Sequence, residues 1–179
     1  MPLRLTREEF HRWTEGQRGR FERVAGEPVA MSPERAQHVR LKNRVWAALD
    51  RAIQQAGLDC EALGDGITVE VDADTDYEPD AVEIAGRACS RMRRLRPTRS
   101  LSSRLCHPPQ SIDTGEKLAD YFRVPSIQHY LIVRARRQEI IHHRRSGDAI
   151  VSHAINAGAI RLDPSGITLD VAEVYGGAG

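Results

Sequence analysis

Tyr77-Glu78-Pro79-Asp80-Ala81-Val82-Glu83-Ile84 sets an acidic residue behind a proline at the mouth of an apolar strand. Further on, Asp113-Thr114-Gly115-Glu116-Lys117-Leu118-Ala119-Asp120-Tyr121-Phe122 sets a lysine in the first turns of a helix. Pro79 has a fixed φ and no N–H to give to a ladder, so it belongs at a strand entrance or edge. Either Asp113 or Thr114 can cap the helix, and Pro125 stops it. Residues 87–110, which separate the two stretches, share neither pattern.

Working outward, Thr6 is an N-cap with Glu8 and Glu9 in the first turn, which predicts a helix over about residues 6–15. Phe21-Glu22-Arg23-Val24, the turn Ala25-Gly26-Glu27 and the return run Pro28-Val29-Ala30-Met31-Ser32 predict a hairpin. A long helix starts at Ser32-Pro33-Glu34 and carries Val39, Val45, Trp46, Leu49 and Ile53 at helical spacing until Gly57. Its early charged residues, His38, Arg40, Lys42 and Arg44, read as a solvated face. Ile67 to Asp72 alternates as a strand, and Asp72-Ala73-Asp74-Thr75-Asp76 is an acidic turn before the strand Tyr77 to Ile84. After Pro125, His129-Tyr130-Leu131-Ile132-Val133 suits a buried strand. Further strands are expected at Glu139 to His143, Ala149 to Ile155, Ala159 to Leu162 and Ile167 to Val171, the last two closing the sheet. The order predicts an α/β domain, a central mixed sheet flanked by helices, in one unit over residues 1–175 with a frayed tail at 176–179.

The 179 residues are enough for one domain with a sizeable core, and 40% hydrophobic against 28% charged residues is the balance of a globular chain. A net charge of +1 argues neither for nor against a nucleic-acid partner. No apolar run approaches membrane-spanning length, and the N-terminus lacks the apolar core of a signal peptide. The expected location is the cytoplasm. Cys60, Cys89 and Cys106 are too scattered for a zinc framework.

With these residues in order, the chain resembles the Uma-two family of restriction endonucleases, a branch of the PD-(D/E)XK nuclease superfamily. The resemblance rests on Thr6-Arg7-Glu8-Glu9-Phe10, Phe21-Glu22 with Gly26-Glu27, His38, Glu78-Pro79-Asp80, the run from Ile112 to Phe122, and His129 to Val133. It implies a restriction-endonuclease-like fold and Mg²⁺-dependent hydrolysis of DNA phosphodiesters, with a homodimer as the expected assembly. Asp80 matches the family's metal-binding aspartate. Lys117 matches a lysine carried on the helix, and Glu22 matches a hairpin acid that completes the site. Carboxylates suit a hard divalent cation, and a lysine steadies developing negative charge.

One segment departs from the family. Where the family carries an apolar strand reading roughly Val-Val-Glu-Val-Leu-Ser-Pro-Ser, with a second metal-binding glutamate, residues 87–109 hold seven arginines and no acid. Written in one GC-rich codon choice and read from the third base, residues 98–109 translate as Pro-Ile-Ala-Val-Val-Glu-Val-Val-Ser-Pro-Ser. This predicts a pair of compensating frameshifts over about residues 87–110, the loss or poor replacement of a central strand, and a site short of one carboxylate. Glu83, three positions from Asp80, is expected to face the other way. The alternative reading is therefore a non-catalytic remnant that keeps the nuclease fold as a DNA-binding or interaction domain.

Among the remaining residues, His142 and His143 are expected on opposite faces of a strand. His38 and His107 read as structural, and Cys60 as a buried small residue. Arg91 to Arg99 has the composition of a nucleic-acid patch, but the frameshift accounts for it without one. The gene's nucleotide sequence across residues 85–112 checks the frameshift. Codons that cannot spell the apolar motif in another frame would sink it.

Overall fold

The computed structural model of the chain describes residues 2–85, 94–95, 103–107 and 114–176. Helix α1 (Arg7–Glu15) leads into the hairpin β1 (Phe21–Val24) and β2 (Glu27–Ala30), followed by the long helix α2 (Ala36–Ala56). Next come β3 (Cys60–Leu63), β4 (Thr68–Glu70), β5 (Asp76–Tyr77), β6 (Ala81–Ala85), β7 (Arg94–Leu95) and β8 (Ser103–His107). Helix α3 (Thr114–Arg123) precedes β9 (Ile127–Arg134), β10 (Glu139–Ser146), β11 (Ala149–Ile155), β12 (Ala159–Leu162), β13 (Ile167–Asp170) and α4 (Val171–Tyr175).

The central mixed sheet has six strands in the order β11-β10-β9-β8-β6-β3, with β8 parallel to β9 and the other pairs antiparallel. A second sheet runs β2-β1-β5-β4-β7. The strand expected from Tyr77 to Ile84 is split between these two sheets. Tyr77 ends β5 in one sheet and Ala81 begins β6 in the other. Glu78-Pro79-Asp80 is the corner where the chain crosses, and Pro79 cannot donate to a ladder there.

The alternation of β9 fixes the layers. Leu131 and Val133 face a core built with Leu41, Val45, Leu49 and Ile53 of α2. Tyr130 and Ile132 face a second core with Tyr121 and Phe122 of α3, Tyr77, Val82 and Ile84. Both faces of this strand are buried, which explains its near-continuous apolar run. β12 and β13 form their own two-stranded sheet and do not close the main one. Every second residue is buried, and Ile160, Leu162, Ile167 and Leu169 join the α2 core.

Local chemistry accounts for most boundaries. Thr6 and Glu9 form a reciprocal capping box on α1. Ala25 (φ 50°) and Gly26 (φ 82°) make the two positive-φ positions of a tight hairpin turn. Gly57 caps α2 in the left-handed region (φ 63°). α2 begins at Ala36, two residues later than Glu34, because no side chain caps it and Glu34 is turned toward Lys42. The strand β3 and helix α4 were not expected from the sequence. They have four and five residues, too short to show a period. Residues 177–179 of the expected tail lie outside the described residues, as do Cys89 and most of the Arg-rich segment.

Of the two outcomes expected for the central strand, loss or a substitute, the structure has a strand in place. Ser103–His107 occupies the slot between β6 and β9, with Ala81 opposite Cys106, Val82 opposite Leu105 and Glu83 opposite Arg104. Two flanking strands with N–H and C=O groups to satisfy impose this conformation on a sequence of modest strand preference.

His142 and His143 point to opposite faces, as the alternation requires. His143 Nδ1 meets Ser152 Oγ at 2.7 Å, and His142 Nε2 lies 2.8 Å from His129 Nδ1. His129 Nε2 bonds the Asp163 carbonyl, which can only accept. His129 Nε2 therefore carries a hydrogen, and with both rings neutral its Nδ1 accepts from His142 Nε2. Burial, then the neighbouring His129, His153, Arg144 and His143, push His142 down to about 4. The unfolded chain, with a histidine near 6.5, binds the proton first, so stability falls as pH drops from about 6.5 toward 4. We expect the Tm to decline between pH 7 and pH 5 and the decline to be shallower in His142→Gln. Equal slopes in calorimetry would show that another group governs it.

Candidate active site at the corner between the sheets

Three elements converge on the Glu78-Pro79-Asp80 corner. On β1, Glu22 is buried and accepts the Glu78 backbone N–H at 3.0 Å through Oε1. On α3, Lys117 donates to Glu22 Oε2 at 2.5 Å, and its ammonium lies 4.9 Å from the centre of the Tyr77 ring. One turn on, the Tyr121 ring lies tilted against those of Tyr77 and Tyr130, 5.3 Å from each. On α2, His38, Lys42 and Trp46 repeat at four-residue spacing on the face that meets the corner.

Asp80 lies 6% exposed. Its Oδ1 is 3.2 Å from Lys42 Nζ and 3.7 Å from His38 Nε2. Lys42 also holds Glu34 Oε1 at 2.5 Å and Asp65 Oδ2 at 2.8 Å. Arg20 bonds both oxygens of Asp65, Glu78 at 2.7 Å and Glu34 at 3.4 Å. Burial alone would lower the Lys42 ammonium, but Asp65, Glu34 and Asp80 outweigh it and hold the group above its ordinary value. Arg20 is likewise raised against its burial by Asp65 and Glu78. Burial raises Asp65, and the hydrogen bonds from Arg20 and Lys42 bring it below the usual carboxylate range.

Tyr121 joins the two halves of this cluster. It is fully buried, and its phenol is held well above its usual value by burial, then by Tyr130, Glu22, Tyr77 and Asp80. Among the described residues its hydroxyl has no hydrogen-bond partner. A cavity of about 430 Å³ opens beside the corner, lined by Lys42, Trp46, Glu61, Asp65 and Asp80 among others.

The structure therefore brings Asp80, Lys117 and Glu22 to one corner, with Glu22 and Lys117 in direct contact. It also gathers residues that the sequence alone placed elsewhere. Oxygens of Glu34 and Asp80 and a nitrogen of His38 lie within 4.8 Å of one another, close enough to share a cation. His38, read from the sequence as structural, thus lies at the corner beside Asp80. Lys42 is buried and ion-paired, whereas Arg40 on the same helix is exposed, as the solvated-face reading requires. The four-residue step from His38 to Lys42 was visible in the sequence, but Asp65 and Asp80, which draw Lys42 inward, are remote along the chain. Glu83 is fully buried on β6, and its register partner on β8 is Arg104.

The arrangement is a restriction-endonuclease-like architecture with a carboxylate-rich corner where the chain enters β6 of its central sheet. It superposes on the crystal structure of "a putative nuclease belonging to DUF820 from Anabaena variabilis" with a TM-score of 0.72 and 10% identity, covering 98% of each chain. That likeness is one of fold. A family model described as "Putative restriction endonuclease" matches residues 7–172, and the chain belongs to that family, Uma2. No curated protein matches the chain at a significant level. No helix among the described residues is long and apolar enough to cross a membrane.

The Glu22–Lys117 pair makes a direct prediction. Removing one partner of a buried ion pair leaves the other charge poorly compensated. Lys117→Met is expected to lower the unfolding free energy by about 3–5 kcal/mol in urea, and adding Glu22→Gln to recover part of the loss. A double variant no more stable than Lys117→Met would show that the pair is not coupled.

Proposed function

We propose that this chain derives from a divalent-metal-dependent DNA endonuclease and that the corner at Asp80 is its hydrolytic site. The observation that carries the reading is the meeting of Glu34, His38 and Asp80 donor atoms within 4.8 Å, next to the buried Glu22–Lys117 pair. The charges agree with it. Three bases, Arg20, Lys42 and Lys117, face five acids, Glu22, Glu34, Asp65, Glu78 and Asp80, so by residue type acids outnumber bases by two. Two oxygens and an imidazole nitrogen suit Mg²⁺, which the family resemblance implies, and suit Mn²⁺ at least as well.

A bound divalent cation supplies a polarised phosphoryl oxygen and a water of lowered pKa. Asp80, with Glu34 and His38, would hold it. Lys117 presents a fixed positive charge where a phosphate oxygen gains charge, and Glu22 keeps that ammonium from turning away. The packed rings of Tyr77, Tyr121 and Tyr130 wall the pair from water. The substrate in this reading is duplex DNA, cut by two copies of the chain acting as a homodimer in the cytoplasm, each copy one domain over residues 1–175.

The second reading, a non-catalytic remnant, is favoured by Arg104. The codon argument puts the family's second glutamate at that position, and the register sets it opposite Glu83. Plasmid nicking with Mg²⁺ and with Mn²⁺ separates the two. The nuclease reading expects metal-dependent nicking that falls at least about a hundredfold in Asp80→Ala, the scale of losing a main electrostatic contributor. No nicking with either metal would favour the remnant.

A further inference from the structure

We propose that Lys42 is a tethered competitor for the cation at Asp80. Its ammonium ties two of the ligand carboxylates together and has to leave them before a divalent ion can settle there. The inference rests on the reading of Glu34, His38 and Asp80 as the cation site.

The overlap is in the carboxylates themselves. Lys42 Nζ contacts Glu34 Oε1 at 2.5 Å and Asp80 Oδ1 at 3.2 Å. These two carboxylates, with His38, are the residues whose donor atoms converge. A divalent ion takes carboxylate oxygens at about 2.0–2.6 Å, so it would occupy the space into which the ammonium points. Two cations cannot share that space without strong repulsion in a site that is largely out of water. One of them must yield.

The structure also provides a place to go. The third carboxylate on Lys42 is Asp65, at 2.8 Å, and it lies outside the converging set. Asp65 is 38% exposed and lines the same cavity of about 430 Å³ as Lys42 and Asp80. A lysine swings on a flexible four-carbon stem and can keep one carboxylate while releasing two. Arg20 stays on Asp65 and Glu78 throughout and would keep the loop in place. The displaced ammonium would then sit beside the cation at the mouth of the cavity, where a phosphate group would enter.

The test measures Mn²⁺ binding by the loss of the free-ion electron paramagnetic resonance signal, together with the Tm in the absence and presence of Mn²⁺. Lys42→Met should bind Mn²⁺ about tenfold more tightly than the wild type, because a full charge has been removed from within contact distance of the ligands. Its metal-free Tm should be lower, and its rise on adding Mn²⁺ larger. Lys42→Arg, which keeps the charge, should stay near the wild-type affinity. A merely structural ion pair would lower the Tm and leave the affinity unchanged or weaker, which overturns the proposal. If the wild type binds Mn²⁺, His38→Ala weakens it and Lys42→Met does not tighten it, only the competition fails. If none of these proteins binds Mn²⁺, the cation-site reading fails with it. Lys42→Gln carries the same comparison should Lys42→Met not fold.

Discussion

A buried carboxylate needs a counterion, and the corner of this fold is shaped by that need. Asp80 and Glu22 are each almost fully buried, and Lys42 and Lys117, nearly as buried, come to them from different helices. Leaving either acid without its cation would cost several kcal/mol, about a third or more of the stability of an ordinary domain. The packing of α2 and α3 around the corner is therefore constrained electrostatically as well as by their apolar faces. Arg20 extends the constraint to the loop carrying Asp65 and to Glu78. The hairpin, both main helices and the crossing between the sheets are linked through one set of charges.

That set explains which parts of the fold could be read from the sequence. The hairpin was legible because Phe21 to Val24 and the turn at Ala25-Gly26 carry their instructions within a few residues. α1 was legible through Thr6 and Glu9, and β9 through an apolar run that only a doubly covered strand needs. The resemblance marked Asp80, Lys117 and Glu22, and the structure sets all three at one corner. Lys42 was not legible, because a charged residue on a helix is ordinarily solvated and its acids are remote along the chain. The nearness of His38 to Asp80 was hidden for the same reason, since it is supplied by tertiary packing and not by ligand spacing. The expected strand through Glu78-Pro79-Asp80 was half right. A proline at a strand entrance does not reveal that the strands on its two sides belong to different sheets.

The tyrosines give the corner its dielectric. Tyr77, Tyr121 and Tyr130 come from β5, α3 and β9, and their rings pack against one another at tilted angles. They replace water around Lys117 with aromatic surface, which strengthens the Glu22–Lys117 attraction and the pull of the Tyr77 ring on the ammonium. Tyr77 is held in turn by Asp120, which accepts its hydroxyl at 2.7 Å from the solvent side of α3. The same helix thus supplies the ammonium, the ring beside it and the acceptor that orients the next ring.

Arg104 bears on whether the corner could have lost its second glutamate and kept its fold. Opposed residues on antiparallel strands interact directly, opposite charges favourably and like charges unfavourably. At the paired positions Glu83 and Arg104 the residue types are opposite in sign, and Val82 with Leu105 is an apolar pair. The replacement strand is thus compatible with β6 at both positions. A strand slot between two partners asks mainly for backbone hydrogen bonds and tolerable neighbours. A metal site asks for a particular atom within tenths of an ångström. A segment rewritten in another frame can meet the first demand and not the second, so the fold can outlast the full ligand set. The corner's carboxylates are held by the chain's own cations, with Lys42 on Asp80 and Glu34, and Lys117 on Glu22.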